Sequence, residues 1–222
     1  MEVPMTAFTM AASAAAMITV SIVDLFYHQA EEIGLLHTTY MCVCGAATVV
    51  IGKHIGNSFL GKSLEADQSS DSRLLRVGLL TAITLTAHNL PEGMAVALST
   101  MGSATLGLKL TVAIALHNIP EGLAIVCPLI MSKRYSPASA IAIAFASGLS
   151  EPVGALLTLL ALKNIITQAR IAYALAFVGG VMMAVALLEL LPEAFHLKRH
   201  GMMIKGFITG VVVMGTSLHF LD

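Results

Sequence analysis

HNLPEG, His88 to Gly93, stands in the middle of the apolar run LLTAITLTAHNLPEGMAVALST (79–100). A near copy, HNIPEG at His117 to Gly122, stands in the middle of the next such run, LTVAIALHNIPEGLAIVCPLI (110–130). A carboxylate and an imidazole at the centre of an apolar run are out of place in an ordinary core, and the surrounding composition says what the runs are. Of 222 residues, 57% are hydrophobic and 11% charged, against about 25% charged in soluble domains. A helix crosses the hydrocarbon core with about 20 mostly apolar residues, so the chain has room for about six to eight spans and for no separate soluble domain.

Windows of about 19 residues predict seven spans, at roughly 5–26, 36–56, 76–98, 108–131, 138–162, 171–194 and 203–221. The fold class is therefore all-α, a polytopic transmembrane helix bundle, read as one domain over 1–222 with a short cytoplasmic linker at about 57–75. That linker holds the polar stretch GKSLEADQSSDSR. The first apolar stretch lacks a basic leader region and carries Glu2, which predicts a retained helix and no cleaved signal peptide. Lys53, Lys62, Arg73, Arg76, Lys133, Arg134, Lys198, Arg199 and Lys205 fall on one side of the predicted membrane, and Lys109, Lys163 and Arg170 on the other. Nine against three places the linker and the N-terminus in the cytoplasm and the C-terminus outside or in a lumen.

Within each repeat, His and Glu are i, i+4 and Asn and Glu are i, i+3, so His88, Asn89 and Glu92 share one helix face, as do His117, Asn118 and Glu121. The two helices run in opposite directions, which lets the copies face each other across a pseudo-two-fold axis. An ionised carboxylate near the bilayer centre costs about 2.5 to 3.5 kcal/mol on insertion scales, so Glu92 and Glu121 require pairing, water or a cation. Glu151, in SGLSEPVGA, is a third such carboxylate, and no intramembrane Lys or Arg is placed to answer the three. Imidazole with carboxylate suits zinc, iron(II), manganese or cobalt, and two bridging carboxylates point to adjacent, exchangeable sites. Pro91 and Pro120 each remove a backbone N–H, which predicts broken helices and a polar pathway at the motif.

Other features are read more plainly. Cys42, Cys44 and Cys127 lie in apolar segments and are expected to pack without a disulfide. Asp24 is placed to draw cations inward from outside and Glu189 with Glu193 to serve an inner exit, against a merely interfacial role for each. His196 and His200 are read as solvated loop residues, and Met17 and the other methionines as core. The run AASAAA, Gly179-Gly180 and the pair Gly206 and Gly210 suit close helix packing in lipid.

On these residues the chain resembles the ZIP (zinc-iron permease, Zrt/Irt-like) family, in its GufA-like zinc-uptake branch. HNLPEG and HNIPEG carry the resemblance, and SIVDL, SGLSEPVGA and GGVMMAVALLELLPEA resemble the family's second, sixth and seventh helices. The seven spans would then match helices two to eight of the family's eight, with nothing resembling the first. The resemblance implies a binuclear centre. Glu92, His117 and Glu121, with His88 nearby, would form one site, and Asn89, Glu92, Asn118, Glu121 and Glu151 the other. It implies no catalytic cofactor and, as transported ions, Zn(2+) with Fe(2+), Mn(2+), Co(2+) and Cd(2+), carried toward the cytoplasm by a shift of one helix group against the other. A homodimer and a plasma or internal membrane are expectations of the same kind.

Near-neutral charge with the basic residues in short loops excludes a nucleic-acid partner, leaving metal ions and the lipid bilayer. An intramembrane metalloprotease would place His-Glu-x-x-His on one helix; the order here is His-Asn-x-Pro-Glu, so no enzyme is expected. The competing reading is a truncated or non-transporting metal-binding membrane protein, and the three costly glutamates weigh against it.

Overall fold

The computed structural model describes residues 2–60, 70–162 and 167–221, and among these every regular element is helical. The first rod is α1 (Glu2–Ile22), which passes through a π-turn, π1 (Val23–Tyr27), into α2 (His28–Ile33), and so runs beyond its predicted end. Then come α3 (Leu35–Leu60), α4 (Ser70–Gly102), α5 (Ala104–Met131), and α6 (Pro137–Gly148) continued by α7 (Ser150–Leu162). A sixth rod joins α8 (Gln168–Val185), π2 (Ala186–Leu190) and α9 (Leu191–His196), and α10 (His200–Leu221) closes the chain. Six rods among the described residues are long and apolar enough to cross a membrane. The remaining one, α4, has 33 residues and the length to do so, but its threonines with His88, Asn89 and Glu92 dilute its apolar character. Helix occupies both flanks of the predicted linker, up to Leu60 and from Ser70, while residues 61–69 with Lys62, and also Lys163, lie outside the described residues.

Helices α6 and α8 begin at polar caps. Ser136 accepts from the Ser139 amide with Pro137 in the first turn of α6, and Thr167 accepts from the Arg170 amide at the start of α8. Each hydroxyl satisfies an amide that the first helical turn leaves over. Between α4 and α5 only Ser103 is non-helical, and its side chain caps α5, so the two repeat-bearing helices form a tight hairpin.

Lipid offers no hydrophobic drive for one helix to meet another, so helices associate where small residues let backbones close. Three such seams are present. Gly206 and Gly210 of α10 lie against the carbonyls of Phe8 and Ala12 in α1. Gly45 of α3 and Gly180 of α8 lie against the carbonyls of Phe177 and Cys42, and Gly93 of α4 and Gly154 of α7 against those of Glu151 and Leu90. The seams pair α1 with α10, α3 with α8 and α4 with α7, and further packing assembles these pairs into two groups. One contains α1, α3, α8, α9 and α10; the other is the α4–α5 hairpin with α6 and α7, and the groups meet mainly along α1 with α5 and α4 with α8. Helix α1 is central, with Ala7, Ala11, Ala12, Ala14, Ala15 and Ala16 buried. The outward faces of α3, α6, α7 and α10 display large apolar side chains such as Val43, Phe145, Leu160 and Val212, as a lipid-facing surface requires.

Candidate metal centre

The helices bearing the repeats are not broken. Both α4 and α5 remain helical through Pro91 and Pro120, contrary to the expectation from the missing N–H groups. Each proline removes a single ladder bond, to the carbonyl of Ala87 or Leu116, and packing on neighbouring helices holds the rest of the rod. A cavity does reach the motif at Ala87, His88 and Pro91, but its lining is mainly apolar, with side chains such as Val77, Leu80, Leu85 and Val181, and not the polar pathway expected.

The repeats meet as their spacing predicts. Glu92, with no exposed surface, is the focus: His117 Nε2 lies 2.8 Å from its Oε1 and His88 Nε2 lies 2.9 Å from the same oxygen. The contact with His117 is aligned as a hydrogen bond, whereas His88 Nε2 has ion-pair distance without that alignment. Donor atoms of His88, Glu92 and Glu121 all lie within 4.8 Å of one another. Glu121 Oε1 accepts a hydrogen bond from the hydroxyl of Ser13 at 3.1 Å. A second pair lies alongside, where the Asn118 amide donates to Glu151 Oε2 at 2.6 Å. His88, Asn89, Glu92, His117 and Glu121 are buried, while Asn118 and Glu151 are half-buried.

Several buried atoms here have no hydrogen-bond partner: Glu92 Oε2, Glu121 Oε2, Asn89 Oδ1, Asn118 Oδ1, His117 Nδ1 and both ring nitrogens of His88. Buried polar atoms are normally satisfied, and an unpartnered carboxylate oxygen is costly. Of these residues, His88, Glu92 and Glu121 bring donor atoms close together, and imidazole with carboxylate is a combination that borderline divalent cations accept.

A cavity of about 760 Å³ leads to this cluster from one end of the bundle. Met10, His88 and Pro91 line it at the centre, and Lys53, Glu189, Glu193 and His196 toward the end. Glu189 sits in π2, where Lys53 Nζ approaches its Oε1 to 3.9 Å and donates to the Leu188 carbonyl at 2.6 Å. Asp24 occupies the matching irregularity in the first rod, π1. Asp24 and Glu189 thus lie in π-turns, which are found disproportionately at functional positions in helices, whereas Glu193 lies in α9. His196 and His200 are exposed, as expected, but they stand at the last position of α9 and the first of α10 and not in the loop between them; the ring of His200 packs on Phe195. Met17 is core, and the Cys42 thiol donates to the Ala176 carbonyl at 3.0 Å.

Two residues of the site escaped the sequence reading. Ser13 was one small residue among alanines, and its single hydroxyl in AASAAA was the available signal. Lys53 was counted only for its charge; its pairing with a residue 136 positions away leaves no trace in local sequence.

A multi-pass membrane helix bundle holding a buried carboxylate and imidazole centre, reached by a cavity with charged walls at its mouth, is the class of protein that fold and site define. The family model described as ZIP Zinc transporter matches residues 56–218, and the chain belongs to that family. It is similar to the zinc transporter ZupT of Chlorobium luteolum, 44% identical over 164 residues, which cover 74% of this chain and 61% of the relative. It is also similar to the zinc transporter ZupT of Clostridium perfringens, 40% identical over 148 residues covering 67% and 52%. With the zinc transporter ZupT of Stenotrophomonas maltophilia it is 32% identical over 224 residues, covering 96% and 83%. The chain thus spans about three fifths of the Chlorobium protein and about half of the Clostridium one.

Proposed function

We propose that this chain carries a divalent cation, zinc first, across the membrane toward the cytoplasm, and acts as a permease rather than an enzyme. The observation that carries the proposal is the group of buried, unpartnered carboxylate and imidazole atoms at His88, Glu92 and Glu121, set at the inner end of a cavity. In this reading Glu92, Glu121 and His117, with His88, hold one ion. Asn89, Asn118 and Glu151 complete an adjacent site that shares the two glutamates. Fe(2+), Mn(2+), Co(2+) and Cd(2+) are the competing cargoes that such a donor set accepts. Multi-site binding of moderate strength lets an ion leave as well as arrive. The charge bias of the loops supports a cytoplasmic linker and a cavity opening to the cytoplasm, because Lys53 lies at its mouth. The division into two glycine-seamed groups supports movement of α4 to α7 against the rest, and the membrane-facing outer helices leave room for a homodimer.

The test is a zinc-sensitive dye sealed inside proteoliposomes that hold the chain. The expected result is a saturable rise in zinc inside, slowed by external cadmium, iron(II), cobalt or manganese. A trace no faster than that of empty vesicles, with the chain verified as inserted, would contradict the proposal.

A further inference from the structure

We propose that Ser13 is a positioning residue for the metal centre, orienting Glu121 from across the boundary between the two helix groups; this rests on the reading of that cluster as a metal centre. Ser13 has no exposed surface and lies on α1 among buried apolar neighbours, Met10, Ala11, Ala12, Ala14 and Met17. A buried hydroxyl in such surroundings costs free energy unless it finds a partner. Its hydroxyl meets Met17 Sδ only at 3.9 Å, a weak acceptor, and donates to Glu121 Oε1 at 3.1 Å, a strong one.

The two ends of that hydrogen bond are mounted differently. Ser13 is fixed to the group of α1 and α10, whose backbones close on one another at Gly206 and Gly210. Glu121 belongs to α5, in the group that also carries every other residue of the centre. With Oε1 engaged by Ser13, Glu121 keeps Oε2 buried and without a hydrogen-bond partner, and the carboxylate stands within 4.8 Å of donor atoms of His88 and Glu92. A carboxylate held by one oxygen has fewer rotamers to lose when a cation arrives, which is how partners behind a ligand raise metal affinity. Because the donor stays with α1, any shift of α5 along α1 removes it. Glu121 then loses its orientation and the cation its tightest grip. Ser13 thereby makes affinity depend on the relative position of the groups, the differential binding that lets an ion bias a conformational equilibrium.

Equilibrium zinc binding to the purified full chain in nanodiscs, alongside thermal unfolding, tests this without requiring transport. Ser13→Ala is expected to bind zinc about 10-fold more weakly, within the range typical for partners behind a ligand. Its unfolding temperature should stay near that of the unmodified chain, because alanine suits an alanine-rich helix. Ser13→Thr retains the hydroxyl and is expected to recover most of the lost affinity. Unchanged affinity in Ser13→Ala, or equal losses in the Ala and Thr variants, would overturn the role of Ser13 while leaving the metal centre standing. Absence of zinc binding by the unmodified chain would take down both.

Discussion

Glu92 Oε1 is approached by two imidazoles, one from its own helix turn and one from the facing repeat, while Oε2 is left buried without a partner. Glu151 is differently placed, half-buried and already engaged by Asn118. The two carboxylates should therefore not be equivalent. Glu92→Gln is expected to weaken zinc binding by more than about 100-fold, beyond the range seen for residues that only support ligands. Glu151→Gln should cost about 10-fold, because water and Asn118 share its role. Isothermal titration on the two variants checks the order, and equal losses would mean that the centre does not focus on Glu92. At this scale the repeat made the partners legible: i, i+4 spacing in two facing copies brings His88, Glu92, His117 and Glu121 together. Ser13 was not legible, because nothing in an alanine-rich helix says which residue on another rod its hydroxyl will meet.

Helix α4 carries one motif copy and α5 the other, yet the two glycines that end the copies do different things. A Cβ on Gly93 would strike the carbonyl of Glu151, whereas a Cβ on Gly122 would meet nothing within 4 Å. Gly93→Ala is therefore expected to destabilise the protein by about 1 to 3 kcal/mol, the usual cost of overpacking, and to displace Glu151 with α7. Gly122→Ala should be neutral or stabilising by up to about 1 kcal/mol, since alanine is the better helix former. Thermal unfolding of the two variants in one detergent compares them directly. The near-identity of HNLPEG and HNIPEG hides this difference, because it arises from α7 packing on only one of the two helices. The same limit applies to the prolines. Pro91 and Pro120 announce a lost hydrogen bond, but whether the helix breaks depends on neighbours that the motif does not contain.

For the molecule as a whole, hydropathy was enough to locate seven rods. The polar rod α4 was recognisable because its polar residues fell into a motif rather than being scattered. The pairing of helices along the seams required knowing which glycines face which backbones, and only Gly206 with Gly210 signalled this by spacing. The cavity was implied by the prolines but its walls were not, since Met10, Thr81 and Glu189 come from rods far apart in sequence. Its predicted opening toward the cytoplasm is testable. In a background with Cys42, Cys44 and Cys127 replaced, Thr48→Cys and Thr81→Cys should react with a membrane-impermeant thiol reagent from the cytoplasmic side and be protected from the other. Equal reaction from the opposite face would invert the orientation derived from loop charge. The most direct test of the central claim is radioactive zinc uptake into proteoliposomes by the 222-residue chain and by Glu121→Ala. Saturable uptake by the first, abolished in the second, is the expected result; uptake that survives the loss of Glu121 would contradict passage through the repeated motif.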